Sequence, residues 1–347
     1  MAPDEPPDMD LAARLADAPS PTMTMLPDGS IDRRFGVLNR GHAPESREAF
    51  VRELSGGQRS FVTEHRGVEP GGQAVNAAIQ GHELGADVAL YGHLDHEVFG
   101  VLDADAHSMG APASVNVYEF EDAAMMLTTE STDIRTWTYD DLVAAGGETA
   151  LDADAVVWTN WSSLANSTDA LRRAADRPGE GGVLVLDPGG VAVRTPAERE
   201  EFVDALGALA GRYSVVVSAN DEELDSLASA VGVESGVTEQ AERLRELAGV
   251  TGVVMHGDER AVAATPGGVV AAPNFETADV SRFTGAGDRF SAALGFARAC
   301  EWDWGPSLRL ANACASFYVG TGLTGDRAAI AEYAAEAATL SGGSHND

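Results

Sequence analysis

The sequence predicts an α/β fold: a mainly parallel central sheet with helices on both faces, plus a smaller β element. Three observations lead there. The chain has 347 residues, enough to bury one large core or two moderate ones. From about residue 155 it alternates short apolar runs with longer helical patterns, the mark of a sheet wound through crossover helices. Two glycine-rich turns, at Gly71-Gly72 and at Gly285-Ala286-Gly287, each open a helix of small residues. In open sheets of this kind ligands bind at the carboxyl ends of the strands.

Taken in order, residues 1–20 are rich in Pro, Asp and Ala and read as a flexible acidic leader with one helical turn at most. Residues 22–26 form a first strand, closed by the turn Pro27-Asp28-Gly29 and followed by Ser30-Ile31-Asp32. The segment 33–66 holds seven of the 23 arginines (Arg33, Arg34, Arg40, Arg47, Arg52, Arg59 and Arg66) against four Glu and no Asp. Arg47 and Arg52 fall in an amphipathic helix, and the other five flank extended stretches. A helix runs from the Gly71-Gly72 pair to about Leu84, and a strand spans 87–91. Residues 114–120 and 124–130 alternate around Glu121-Asp122 as a hairpin. Strands follow at 155–159, 183–187, 214–218 and 252–256, with helices at 165–177, 197–210 and 238–248. Two short strands near 261–265 and 269–272 precede the second glycine turn. Helices at 287–300, 306–318 and 327–338 complete the chain.

Composition excludes several classes of function. There are 55 acidic and 23 basic residues, a formal net charge of −32, and every basic residue is arginine. Such a surface repels nucleic acid and anionic membranes. Without lysine there is no Walker-type P-loop, no protein-kinase strand lysine and no Schiff-base amine. Cys300 and Cys314 lie in alanine-rich helical stretches, and two thiols make neither a metal cluster nor a disulfide framework. No apolar run reaches membrane-spanning length and no signal pattern opens the chain, so a cytoplasmic location is expected.

The chemistry concentrates at Thr284-Gly285-Ala286-Gly287-Asp288. Small residues leave backbone N–H groups open at a helix start, where the dipole favours an anion. Asp288 has no place there as an anion ligand but suits a base beside a phosphate held by those N–H groups. The plainer alternative is a glycine turn with an acid in its first turn. A dinucleotide motif fails, because Phe290 occupies the third glycine position and the turn lies late in the chain.

The glycine pair with Asn76, the Gly92…Asp95…Gly100 spacing, Asn220-Asp221-Glu222-Glu223, the Gly285-Ala286-Gly287-Asp288 turn and Ala311-Asn312-Ala313 occur in an order that resembles the PfkB, ribokinase-like carbohydrate kinases. The acidic, lysine-free composition resembles proteins of salt-loving archaea. The resemblance implies one domain over about 21–340 with lid segments at about 33–66 and 112–137, the lid often pairing subunits as a homodimer. It implies an ATP-dependent sugar kinase in which Asp288 takes the proton from a hydroxymethyl oxygen and the amides of Gly285, Ala286 and Gly287 hold the developing charge. Asp32 would accept hydrogen bonds from sugar hydroxyls, with Gly71, Gly72, Asn76 and Asn160 around it. Asn220 and Glu223 would organise Mg2+ and its waters on the phosphates. Thr284, Gly257 and Asn312 would line the nucleotide, although a helix cap and a satisfied core amide are the ordinary readings of Asn220 and Asn312.

Two departures from the family pattern stand out. Arg282-Phe283 replaces the usual Asp-Thr, so the Arg282 guanidinium is expected where relatives hold a monovalent cation. Asp187-Pro188-Gly189-Gly190-Val191 lacks the arginine often found after Asp-Pro-Asn. The arginines near Asp32, Arg34 among them, suggest an acceptor that is already a phosphate ester, such as ribose 1-phosphate. Their other reading is pairing with Glu45, Glu48, Glu53 and Glu64 or with a partner subunit. A nucleoside kinase, a neutral-sugar kinase and a non-catalytic nucleotide or sugar sensor remain as alternatives.

Overall fold

The computed structural model describes residues 11–38, 46–146, 149–277, 280–282 and 284–343. Arg40, Glu45, Phe283 and the first ten residues of the expected leader lie outside them.

Two sheets organise the chain. The strands are β1 (Thr22–Leu26), β2 (Ser30–Leu38), β3 (Val62–Gly71), β4 (Asp87–Gly92), β5 (Asp105–Ser108), β6 (Ala113–Glu119), β7 (Ala124–Thr129), β8 (Ala155–Thr159), β9 (Val183–Asp187), β10 (Ser214–Ala219), β11 (Gly252–His256), β12 (Arg260–Thr265) and β13 (Gly268–Pro273). Nine form the central sheet in the order β13-β12-β11-β10-β9-β8-β1-β4-β5. It is parallel from β5 to β11, and β12 and β13 add an antiparallel edge.

The inner strands are buried on both faces, so they read as continuous apolar runs. Their side chains still divide with period two. Val156, Trp158, Leu184, Leu186, Val215 and Val217 enter one core, with the helices Ser167–Ala175, Pro196–Ala210, Asp221–Ala230 and Val237–Ala248. Ala155, Val157, Val185, Val216 and Val254 enter the other, with the helices Gln73–Glu83, Ala286–Ala299 and Trp304–Thr321. Fully burying each such Val or Leu side chain contributes about 1.5–3 kcal/mol.

The second sheet runs β3-β2-β6-β7. Its arginine-rich part is β2 and β3, an antiparallel pair with a bulge between Arg34 and Phe35. β2 also pairs in parallel with β6, which joins the expected hairpin to the arginine segment. Strand β3 was expected only as part of the extended lid segment, without bounds of its own. Its face is largely exposed, so its sequence lacks the apolar alternation that marks a strand.

The leader also differs from expectation. Leu11–Asp17 is a helix with Leu11 and Leu15 buried. Arg327 holds it in place, with Nη1 donating to the carbonyls of Leu15 and Ala18 and Nη2 to that of Pro19. No local pattern in 11–20 announces an anchor lying some 310 residues away.

Candidate active site

The site forms where β1, β8, β9, β10 and β11 end and the helices Gln73–Glu83 and Ala286–Ala299 begin. Its frame is Asp28, 4 % exposed. The Asp28 carboxylate accepts from the backbone N–H groups of Gln73 (3.0 Å) and Ala74 (2.8 Å), the open donors of that helix start. It also accepts from Asn160 Nδ2 at 3.0 Å and Thr159 Oγ1 at 3.2 Å. One buried acid thus joins the end of β1, the end of β8 and the helix that follows the Gly71-Gly72 pair. Asn160 itself sits in the left-handed region, φ 53°.

Asp288 lies in the first turn of Ala286–Ala299, buried, with both oxygens held by amides. Gln73 Nε2 donates to Oδ1 at 3.1 Å and Asn76 Nδ2 to Oδ2 at 2.8 Å. Gln73 Nε2 also reaches Asp187 Oδ1 at 3.3 Å. Asp187, at the end of β9, accepts further from Ser291 Oγ at 2.8 Å and Gly189 N at 3.3 Å. Burial, and then the neighbouring charge of Asp187, push the Asp288 carboxyl up to about 6. Burial likewise raises Asp187 above the usual carboxylate range. Gly285 caps the helix at φ 88°, a backbone that suits glycine, and places Ala286 and Gly287 as its first residues.

On the expected nucleotide side, Asn220 and Glu223 form a reciprocal capping box. Asn220 Oδ1 accepts from Glu223 N at 2.9 Å, and Glu223 Oε2 accepts from Asn220 N at 3.0 Å. The cap faces the helix Asp221–Ala230 and still leaves a buried acid near Asp187 and Asp288. Burial and the Asp187 charge push Glu223 up to about 8. Gly257 sits in the turn from β11 to β12, its N–H donating to the Arg260 carbonyl. Thr284 stands immediately ahead of the Gly285 turn. Asn312 is buried, and its Nδ2 donates to the carbonyls of Ala272 (2.9 Å) and Pro273 (3.0 Å), tying β13 to its helix. That is the ordinary reading of its amide group. His256 was not anticipated. Its ring lies against Gly287, with Cε1 3.1 Å from where a β-carbon would stand, and burial pushes its imidazole down to about 4, hence neutral.

On the expected sugar side, Asp32 accepts a hydrogen bond from Ser30 Oγ, and burial pushes its carboxyl up to about 6. Gly71 ends β3 opposite Ser30, against the Asp32 side chain. Gly72 has φ 103°, and a β-carbon there would meet Gly29 Cα at 2.8 Å. Asn76 reaches Asp288 rather than Asp32.

The arginines are engaged differently from the two readings above. Arg34 Nε donates to Glu119 Oε1 at 2.7 Å, and Arg66 Nη1 contacts Glu119 Oε2 at 3.1 Å. Arg33 donates to Ser114 Oγ. Arg282 grips Glu69 through both terminal nitrogens, at 2.9 and 3.1 Å. The acids that pair with Arg34 and Arg66 are therefore Glu69 and Glu119, not Glu48 or Glu64. Arg282 is thereby tied to β3 through an ion pair. The pairing depends on β6 lying beside β2, which no local spacing reveals.

Asp28, Gln73, Asp187 and Ser291 are residues of the site to which the sequence reading assigned no role there. Asp28 reads as an ordinary turn acid, and its partners Thr159 and Asn160 lie over 130 residues away. Gln73 did carry a signal: it directly follows the Gly71-Gly72 pair at a helix start.

The chain superposes on the Methanocaldococcus jannaschii nucleoside kinase, an archaeal member of the ribokinase family. The TM-score is 0.64 at 14% identity, covering 92% of this chain and 100% of that one. It superposes equally on Arabidopsis thaliana ribokinase complexed with ribose and ATP, TM-score 0.63 at 18% identity, over 91% and 99% of the two chains. The fold is that of the PfkB, ribokinase-like kinases. Within that class, the model of the prokaryotic ketohexokinase family matches residues 48–336, and the chain belongs to this family. A ketohexokinase of Haloferax volcanii is 29% identical over 276 residues, 74% of this chain and 72% of the relative. The protein is accordingly a carbohydrate kinase, a phosphotransferase with an alcohol acceptor and ATP as co-substrate. The acidic, lysine-free composition fits the Haloferax relative.

Proposed function

We propose that this chain transfers the γ-phosphoryl group of ATP to the hydroxymethyl oxygen of a neutral ketohexose. One observation carries the reading: a buried carboxylate, Asp288, held at both oxygens by Gln73 and Asn76, sits in the first turn of a helix whose glycine-rich start presents open amides. Asp288 takes the hydroxyl proton as the oxygen bonds to the γ-phosphorus, and the bond to the ADP oxygen breaks. The amides of Gly285, Ala286 and Gly287 stabilise the charge on the transferring group. Asp32 accepts hydrogen bonds from the sugar hydroxyls, with Asn160 as a further contact.

The acceptor is neutral on this reading. The guanidinium forks of Arg34 and Arg282, which could grip a phosphate ester, already serve Glu119 and Glu69. This replaces the expectation of a sugar phosphate such as ribose 1-phosphate.

The donor set also fits Mg2+. Burial raises the proton affinity of Asp187, Glu223 and Asp288, and the Asp187 charge raises it further in the last two, the condition a bound cation relieves. Among the described residues no three His, Cys, Asp or Glu side chains form a self-sufficient metal group. The ion would thus be shared between Asp187, Glu223 and the nucleotide phosphates, where it supplies charge neutralisation. Asn220 would act on Mg2+ only through the orientation it gives Glu223.

The small sheet is the proposed pairing surface of a homodimer. Val62, Val68, Met126 and Leu127 on it are about half exposed or more. ATP as co-substrate and the two free cysteines suit a cytoplasmic setting.

The test is ADP release with ATP and Mg2+ in molar KCl, against ketohexoses, aldoses, sugar phosphates and nucleosides, with sedimentation for the oligomer. The highest kcat/KM should fall to a ketohexose such as fructose. A preference for a sugar phosphate or a nucleoside would overturn the acceptor assignment. Nucleotide binding without turnover on any acceptor would make the chain a sensor.

A further inference from the structure

Arg289 follows the base directly and is 5 % exposed. Burying a guanidinium is unfavourable unless it is well partnered, yet its partners are neutral. Nη1 donates to the Gly285 carbonyl at 2.8 Å and Nε to Thr324 Oγ1 at 2.9 Å. The guanidinium carbon lies 3.5 Å from the centroid of the Tyr318 ring, a close cation–π contact. The charged or titratable groups near it include Tyr318, Asp288, Arg282, Glu69 and Cys314. Among the described residues no carboxylate forms an ion pair with it within 4.0 Å.

The carbonyl it holds belongs to the peptide whose N–H is that of Ala286, the first amide of the helix. In a planar trans peptide the C=O and N–H point in opposite directions. Fixing the Gly285 carbonyl on Arg289 therefore aims the Ala286 N–H away from Arg289. A cation bonded to that carbonyl also polarises the same peptide and strengthens its N–H as a donor. Thr324 and Tyr318 in turn seat the guanidinium from the end of the helix Trp304–Thr321 and the loop after it.

We propose that Arg289 is a positioning residue for phosphoryl transfer: it orients and polarises the Gly285–Ala286 peptide so that the Ala286 amide stabilises the transferring phosphoryl group. The inference rests on the reading of the Gly285–Gly287 turn as the anion site. It assigns the turn's geometry to a side chain that does not touch the substrate. It also explains why the glycine is needed beyond its φ of 88°: a β-carbon at Gly285 would stand 2.9 Å from Arg289 Nη1.

The experiment compares Arg289→Ala, Arg289→Lys and Asp288→Asn in molar KCl, with kcat, KM for the acceptor, ATP affinity and Tm measured for each. Arg289→Ala should lower kcat about 10- to 100-fold with KM changed less than about threefold, because the lost donor acts on the transition state. Low, non-denaturing guanidinium should restore part of that kcat in Arg289→Ala and none in Asp288→Asn. Arg289→Lys keeps the charge but can make only the Gly285 contact, and should fall in between. If Arg289→Ala retains kcat within about threefold while Asp288→Asn is inactive, the proposal is overturned and the site reading stands. If Asp288→Asn is itself fully active, the site reading fails instead. Should Arg289→Ala not fold, an unimpaired Arg289→Lys overturns the proposal, and a folded Arg289→Lys with reduced kcat at unchanged KM supports it.

Discussion

Arg282 and Glu69 form a two-pronged ion pair, with Nη1 to Oε1 at 2.9 Å and Nη2 to Oε2 at 3.1 Å, that ties the small sheet to the segment leading into the Gly285 turn. Glu69 neighbours Asp32 across this junction, since it pairs opposite Asp32 in the β2–β3 register. The pair thus couples the strand pair that carries Asp32 to the segment before the Gly285 turn, the proposed sugar and phosphoryl-transfer sides of the site. Glu69 is partly exposed, so breaking the pair should change stability by no more than about 1 kcal/mol. The acceptor KM of Arg282→Gln should nevertheless rise several-fold, with ATP affinity unchanged. Equal KM values for the variant and the parent would show the clip to be structural only.

Replacing Asp288 with Asn removes the base and keeps the shape. Turnover should fall roughly 10²- to 10⁴-fold while ATP still binds. A secondary effect follows from the donors on both oxygens: an Asn amide must set its own NH₂ against Gln73 or Asn76, so one of those side chains has to turn. Isothermal titration with ATP alongside steady-state kinetics checks both points, and near-full kcat would remove Asp288 from the mechanism.

The acid limb of the rate profile belongs to the same group. Asp288 works as a base only when ionised, and its carboxyl sits at about 6. In the free enzyme kcat/KM should therefore fall about tenfold per pH unit below that value. An acid limb centred near 4 would show the base to be a solvated carboxylate elsewhere.

Stability of the unligated protein should run the other way along the pH axis. A carboxyl with a raised folded-state pKa binds its proton more tightly when folded. Its contribution is full at low pH and is lost as pH rises, through about 6 for Asp32 and Asp288 and about 8 for Glu223. Tm in the absence of ligand should accordingly drop from mildly acidic to mildly alkaline pH. Glu223→Gln should flatten the upper part of that fall while leaving the lower part. If the variant's Tm profile parallels the parent's at alkaline pH, Glu223 is not the group responsible.

Asp32 gives a test of the sugar side. Asp32→Asn keeps one acceptor oxygen but loses the charge that strengthens hydrogen bonds from sugar hydroxyls. The cost of about 1.5–3 kcal/mol should appear in acceptor kcat/KM and leave KM for ATP near its parent value. An effect confined to ATP would place Asp32 outside the sugar pocket.

What the sequence determined by itself is whatever is written locally. Strands such as 155–159 and 183–187 are buried on both faces, so continuous apolar runs mark them without reference to the rest of the chain. The Gly285-Ala286-Gly287-Asp288 turn is likewise legible, because the glycine, the helix start and the acid are adjacent. The tertiary structure decided what depends on distant partners. Asp28 became the frame of the site only because β1 and β8 end side by side. Arg34 meets Glu119 because β6 lies against β2, and Arg282 meets Glu69 because β3 reaches the segment before the Gly285 turn. Charge on a long side chain is felt over a few ångströms in space, whereas a sequence pattern reports only neighbours along the chain.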